Sequence, residues 1–216
     1  MPTPTTTRMI PAARMRHVLL AVDKIMDRNG LLAVLRQAQL ERYITAMPPD
    51  SYRDHTQAAD LALLVAAIER FYGRGARGQL QRIGWAVFEQ LIRSIQFRWQ
   101  VLRLSKPFQN EQQRQQQVLR LLADYLGAPD GGVRVVQNGT RWDFFDGQAD
   151  DCAGRGAKCP DSFLTVGLLR AALHWATGRN FDVIQLSNRA HGARESRFEA
   201  REMAEAFATP ENQTEP

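Results

Sequence analysis

Apolar residues recur at spacings of three and four along residues 79–95. Leu80, Ile83, Val87, Phe88, Leu91, Ile92 and Ile95 share one face, and Arg82, Glu89, Gln90 and Arg93 share the other. That period predicts an amphipathic helix. Gly84 interrupts its apolar stripe, at a place where a missing side chain admits a second backbone. Three more helices are expected ahead of it. Residues 11–28 carry Val18, Leu19, Val22, Ile25 and Met26 on one face and stop at Asn29-Gly30. Residues 31–46 present Leu32, Leu35, Leu40 and Tyr43 before Pro48-Pro49. Residues 56–72 are apolar nearly all round (Leu61, Leu63, Leu64, Val65, Ile68, Phe71), so this helix is either central or covered by a second copy of the chain. Beyond a Gln-rich run, Val118, Leu119, Leu122, Tyr125 and Leu126 mark a fifth helix ended by Gly127, Pro129 and Gly131. Residues 97–104 fit neither period.

The period then changes. Val133-Arg134-Val135-Val136 and Trp142-Asp143-Phe144-Phe145 flank Asn138-Gly139, the signature of a β-hairpin. A Gly-rich loop with both cysteines follows, then an amphipathic helix over 162–177 stopped by Gly178. Phe181–Leu186 and Ser196–Ala200 read as two further strands around a turn at Gly192. The expected organisation is a loose segment 1–8, one domain over 9–202 and a tail over 203–216. Within the domain, a helical half (9–127) precedes a ββ-α-ββ half (132–201), and the functional surface is expected on the latter.

Charge changes this picture little. The net charge is +5, and the cations are almost all arginines spread over polar faces, with only Lys24, Lys106 and Lys158 as lysines. Nucleic acid is therefore not an expected partner. The apolar run Val18–Val22 is too short for a leader and meets Asp23 and Lys24 directly. No segment has the length of a membrane span. A cytoplasmic protein is expected, in which two cysteines stand as thiols rather than a disulfide.

Three motifs invite chemistry. Gly73-Arg74-Gly75-Ala76-Arg77-Gly78 has the spacing of a dinucleotide fingerprint, but that fingerprint needs a strand before it and here a helix precedes. A tight helix–helix turn is the expected role. Alternatively, the loop amides with Arg74, Arg77 and Arg82 hold a carboxylate or phosphate at the helix start. Cys152 and Cys159 lie further apart than paired zinc ligands usually do, and they are weak metal candidates. Trp142, Phe144, Phe145, Phe163, Trp175 and Phe181 crowd one block, as core or as the wall of an apolar cavity.

Several short stretches resemble the 4-vinyl-reductase domain family. They are Tyr72–Gly78 with Leu80, Arg82, Ile83 and Gly84, then Phe163–Leu169 with Ala176-Thr177-Gly178, then Val183–Phe198 with Ala190 and Gly192 in step. The resemblance runs over about residues 9–201. It implies an α+β fold like that of TRAPP subunits, with N-terminal helices packed on a small antiparallel sheet of about four strands and a crossing helix. It also implies an internal apolar channel and a homodimer. Positions where zinc-bearing relatives carry metal ligands hold Ser162, Gln185, Asn188 and Ser196 here, so zinc is not expected. No flavin, nicotinamide or iron–sulfur signature occurs, and no cofactor is expected.

The function implied is binding or carrying a hydrophobic small molecule, with a tetrapyrrole precursor of bacteriochlorophyll among the candidates. Phe88, Trp142, Phe144 and Phe163 would form the wall, and Arg77 and Arg82 would orient an acidic group. The alternatives are an oxidoreductase reducing the vinyl group of a chlorophyllide-type substrate, or an interaction subunit with a vestigial cavity.

Overall fold

The computed structural model describes residues 8–94, 110–127, 132–156 and 161–203. A short pair of strands, β1 (Met9–Pro11) and β2 (His55–Gln57), runs antiparallel and clasps the N-terminal helices. These are α1 (Ala12–Gln37), α2 (Arg42–Thr45), α3 (Ala58–Tyr72) and α4 (Ala76–Ser94), followed by α5 (Glu111–Gly127). The second half is β3 (Val133–Asn138), β4 (Arg141–Asp146), α6 (Phe163–Thr177), β5 (Phe181–Ser187) and β6 (Ser196–Glu202). The four strands form one antiparallel sheet in the order β3-β4-β6-β5. The chain is thus α+β, with helices packed on a small antiparallel sheet.

The element that ties the halves together is α6. It packs on α4 on one side and runs alongside α5 and the β5–β6 pair. Glycines set how closely it meets α4. A Cβ on Gly84 would stand 2.1 Å from the Leu164 carbonyl oxygen, and one on Gly167 would stand 2.0 Å from that of Gln81. The backbones cross in contact there, as the gap in the α4 stripe predicts. Leu80, Ile83, Val87, Phe88 and Leu91 of that stripe are buried, Ile92 is partly buried, and Ile95 lies outside the described residues.

In the sheet, the period of two aims Trp142 and Phe144 inward with Phe181, Val183, Phe198 and Ala200. Phe144 lies opposite Phe198 across the β4–β6 pair, their rings edge to face at 6.4 Å. Phe145 points outward beneath the guanidinium of Arg134, 3.7 Å from its ring centre. Gly139 takes φ +63° at the β3–β4 turn, and Gly178 takes φ +81° where α6 stops. Both follow from the sequence pattern.

Other expectations need correction. The first helical stretch breaks at Asp27 (φ 63°, ψ 176°) and not at Asn29-Gly30, because the Asp27 carboxylate accepts the Gly30 N–H at 2.9 Å and so caps the following turn. The second stretch ends at Gln37, not Ala46. Gln39 turns left-handed at φ 59°, and Leu40 and Tyr43 reach the core from the turn and from α2. Strand β2 occupies the expected start of α3. Along α3, Leu61, Leu64, Val65 and Ile68 are buried, and Leu63 and Phe71 are exposed.

Cys152 is disulfide-bonded, which corrects the free-thiol expectation. The chain's other cysteine, Cys159, lies outside the described residues. The expectation rested on the compartment alone; locally, the short helix Asp150–Cys152 and the positive φ of Gly154 and Gly156 turn the described part of the loop. Residues 97–104 also lie outside the described residues. Among the described residues, no helix is long and apolar enough to cross a membrane.

Candidate functional site

Helix α4 presents two faces, and the one opposite its core stripe makes a cleft with α1 and α6. The cleft encloses about 330 Å³. Its apolar surface comes from Ile25 of α1, Trp85 and Ala86 of α4, and the bare backbone at Gly78 and Gly167. Lys24, Arg82 and Arg170 supply cations, and Glu89 supplies the one carboxylate. The Gly84–Gly167 crossing brings α6 near enough for Arg170 to border the same space as Arg82.

The charges are unevenly engaged. Lys24 and Glu89 form an ion pair between α1 and α4. Arg82 donates to Gln79 Oε1 and Arg170 to Gln81 Oε1, each at 3.4 Å, the long end of hydrogen bonding. A guanidinium carries five N–H donors in a planar fork, so each arginine keeps most of its donors for an anion. The Trp85 indole stands against the His174 ring with centroids 5.2 Å apart, which holds it at the cleft. The arrangement can stack an apolar or aromatic body on Trp85 and engage an acidic group with two forks.

Of the six residues predicted for the site, Arg82 alone borders this cleft. Arg77 is brought to Phe163, its guanidinium 5.5 Å from the ring centre. Phe88, Trp142 and Phe144 belong to one continuous core cluster, with Phe163 packed on its edge. Phe88 meets Trp175 edge to face at 6.2 Å, and Trp142 Nε1–H donates to the buried Gln115 Oε1 at 2.7 Å. Sequence reasoning passed over Lys24, Gln81, Trp85, Glu89 and Arg170. One signal was available: Trp85 is out of phase with the α4 stripe, a large aromatic set between Arg82 and Glu89 on the polar face. Gly73 turns at φ +52° between α3 and α4, so the first half of the Gly73–Gly78 motif is a helix–helix turn and Ala76-Arg77-Gly78 open α4.

A buried polar network beneath α1 was also missed. Asp150 pairs with Arg8 and with Arg14, whose Nη1 donates to Asp150 Oδ2 at 2.5 Å and to the Leu126 carbonyl at 3.3 Å. Asp151 accepts from Ser162 Oγ at 3.1 Å. Burial, reinforced by nearby Asp146, pushes the Asp151 carboxyl up to about 7. His17 stacks on Tyr125, with Nδ1 3.3 Å from the phenol oxygen and Nε2 3.6 Å from Asp50. Burial pulls its imidazole down to about 4, so it is neutral near pH 7. The network pins α1 to the loop after β4.

Comparison with known proteins places the fold. No protein-family model matches the sequence, and no curated protein matches it. Solved structures do. The chain is similar to an H-NOX protein from S. oneidensis in the Fe(II)NO ligation state (TM-score 0.55, 10% identity, 88% of this chain and 99% of that one). It is similar to an H-NOX family member used to probe the function of heme distortion (0.58, 7%, 94% and 100%). It is also similar to an oxygen-binding H-NOX domain related to soluble guanylate cyclases (0.55, 7%, 91% and 96%). At such identities the likeness establishes the fold alone.

It also corrects the resemblance to the 4-vinyl-reductase domain family, and the bacteriochlorophyll reading goes with it. The glycines that carried that resemblance have local explanations: Gly73 turns the chain, Gly84 and Gly167 cross, and Gly178 caps α6.

Heme can be tested against the residues present. Its iron takes a His, Cys thiolate, Met or Tyr ligand. The 330 Å³ cleft contains none of these. His17 Nδ1 is 3.3 Å from Tyr125 Oη, its buried Nε2 makes no hydrogen bond, and the residue lines neither cleft, while Cys152 is in a disulfide. His174 Nδ1 is 3.1 Å from the Arg179 carbonyl, and His191 is exposed on the β5–β6 turn. His55, Tyr43 and Met9 border a second cleft, which also holds the buried Asp60 with Arg42. Residues 95–109, outside the described residues, include no His, Cys, Met or Tyr. The lining of the α1/α4/α6 cleft does not fit a heme.

Proposed function

We propose that this chain, built on the fold of the H-NOX domains, is a small-molecule-binding domain that uses the α1/α4/α6 cleft instead of a heme. Its ligand is an apolar, preferably aromatic molecule carrying an acidic group. The observation that carries this reading is the placement of Trp85 and Ile25 beside the forks of Arg82 and Arg170 in one 330 Å³ space. That volume lies at the small end of ligand pockets and suits one or two fused rings. Binding is favoured over turnover because the lining offers no Ser, Thr, Cys, His or Tyr as nucleophile, and its one carboxylate is held by Lys24.

Stacking and burial against Trp85 supply affinity, and the two guanidinium forks supply orientation and the choice of anion over neutral analogue. Isothermal titration with 2-naphthoate against 2-naphthamide tests this. Saturable binding of the acid, weakened at least tenfold in Arg82→Ala/Arg170→Ala and absent for the amide, is expected. Equal binding of acid and amide, or no saturable heat, would remove the reading.

A further inference from the structure

A larger cleft, about 600 Å³, lies between the β1–β2 pair, α2 and α3, apart from the site above. At its floor sits the Asp60 carboxylate, almost fully buried. A buried carboxylate needs compensation. Here Tyr43 Oη donates to Asp60 Oδ2 at 2.5 Å, and Arg42 pairs with the same oxygen.

The Arg42 guanidinium also lies over the Tyr43 ring, 4.9 Å from its centre. A carboxylate and an aromatic face together make a seat for a planar cation. The occupant is insecure, because the Arg42 side chain is 55% exposed and α2 is a single turn. An ion pair with one partner in water contributes little and exchanges readily. Thr56 Oγ1 borders the same cleft, buried and without a hydrogen-bond partner. An orphaned hydroxyl beside a buried carboxylate marks a place for a polar guest. Leu40 is buried at the base, and Met9 and Leu63 are exposed at the mouth, giving an apolar surface for the rest of such a molecule.

We propose that this cleft binds an organic cation, a guanidinium or amidinium group on a short apolar body, and that Arg42 fills the seat from within the chain until the ligand displaces it. The incoming fork takes both oxygens of Asp60, stacks on Tyr43 and places its body against Leu63 and Met9. Thr56 Oγ1 accepts one of its N–H groups. Arg42 swings to solvent, so the exchange leaves the buried charge balanced. The site is independent of the α1/α4/α6 cleft.

Benzamidine is the probe and benzamide its neutral isostere, each titrated into the full chain and followed by amide chemical shifts. Removing the internal competitor in Arg42→Ala is expected to tighten benzamidine binding at least tenfold over wild type, with shifts centred on Tyr43, Thr56 and Leu63. Benzamide is expected to produce none. Arg42→Ala/Asp60→Asn keeps the Tyr43 hydrogen bond and removes the charge, so it is expected to lose the gained affinity. The proposal is overturned if Arg42→Ala binds no tighter than wild type, if benzamide binds equally, or if the double variant binds like Arg42→Ala. Should the double variant not fold, the shift map of Arg42→Ala decides, and shifts away from Tyr43 and Leu63 overturn the proposal.

Discussion

Gly84 of α4 and Gly167 of α6 face one another at the crossing of their helices, each occupying space that the other helix's backbone would deny to any side chain. The contact is reciprocal, and both clashing atoms are carbonyl oxygens, which cannot rotate away. Overpacking against backbone is at the costly end of small-to-large changes. Gly84→Ala and Gly167→Ala are each expected to destabilise the fold by about 2–4 kcal/mol, although alanine is the better helix former. Urea denaturation with an unchanged slope checks this.

Gly78 makes the contrast. It lies in the first turn of α4, at the cleft, and a Cβ built there meets nothing within 4 Å. Gly78→Ala is expected to stabilise the chain by roughly 0.5–1 kcal/mol through lost backbone freedom in the unfolded state. Gly78→Met fills the cleft and is expected to weaken 2-naphthoate binding at least tenfold, with the melting temperature maintained. Calorimetry on both variants separates occupancy of the cleft from damage to the fold.

Two buried groups tilt stability in opposite directions with pH. The folded Asp151 carboxyl, at about 7, binds protons more tightly than the unfolded one. Its contribution is present in acid and is lost as pH rises from about 4 through 7. Asp151→Asn, which resembles the protonated acid, is expected to remove that downward slope and to equal or exceed wild type in stability at pH 8. His17 does the reverse. With its folded value near 4 and its unfolded value near 6.5, its contribution is lost as pH falls from about 6.5 to 4. His17→Phe retains the stack on Tyr125 and is expected to flatten the loss on that side. Melting temperatures from pH 4 to 8 for the three proteins check both signs.

Hemin titration examines the departure from the H-NOX solved structures. The expected outcome is a spectrum of unspecifically associated hemin, unchanged by His17→Phe or His55→Ala and without a stoichiometric endpoint. A sharp one-to-one endpoint abolished by either variant would show an iron ligand at that histidine.

The sequence made the periodic parts readable. Leu80 through Leu91 declared the buried stripe of α4, Gly84 its crossing, and Trp142 with Phe144 the inner face of the sheet. Each of these is decided by neighbours within a few residues. The Arg14–Asp150 pair spans 136 positions and has no local trace in the sequence. Asp27 broke α1 ahead of the more obvious Asn29-Gly30 because its own side chain could cap the next turn. Strands β1 and β2 are three residues each, too short for alternation to register. The proposed cleft was little legible. Arg82, which lines it, stood out through its motif, but Trp85 lay on the polar face of α4, and Lys24 and Arg170 come from helices distant in sequence.

The most direct examination of the proposed ligand site is the indole N–H resonance of Trp85, assigned by Trp85→Phe, during titration of the full chain with 2-naphthoate. The account predicts a saturable shift of that resonance, following the same binding curve as amides at Ile25 and Gly167, with the Trp142 indole unmoved. A saturable shift at Trp142 with Trp85 unmoved, or no shift at either, would contradict it.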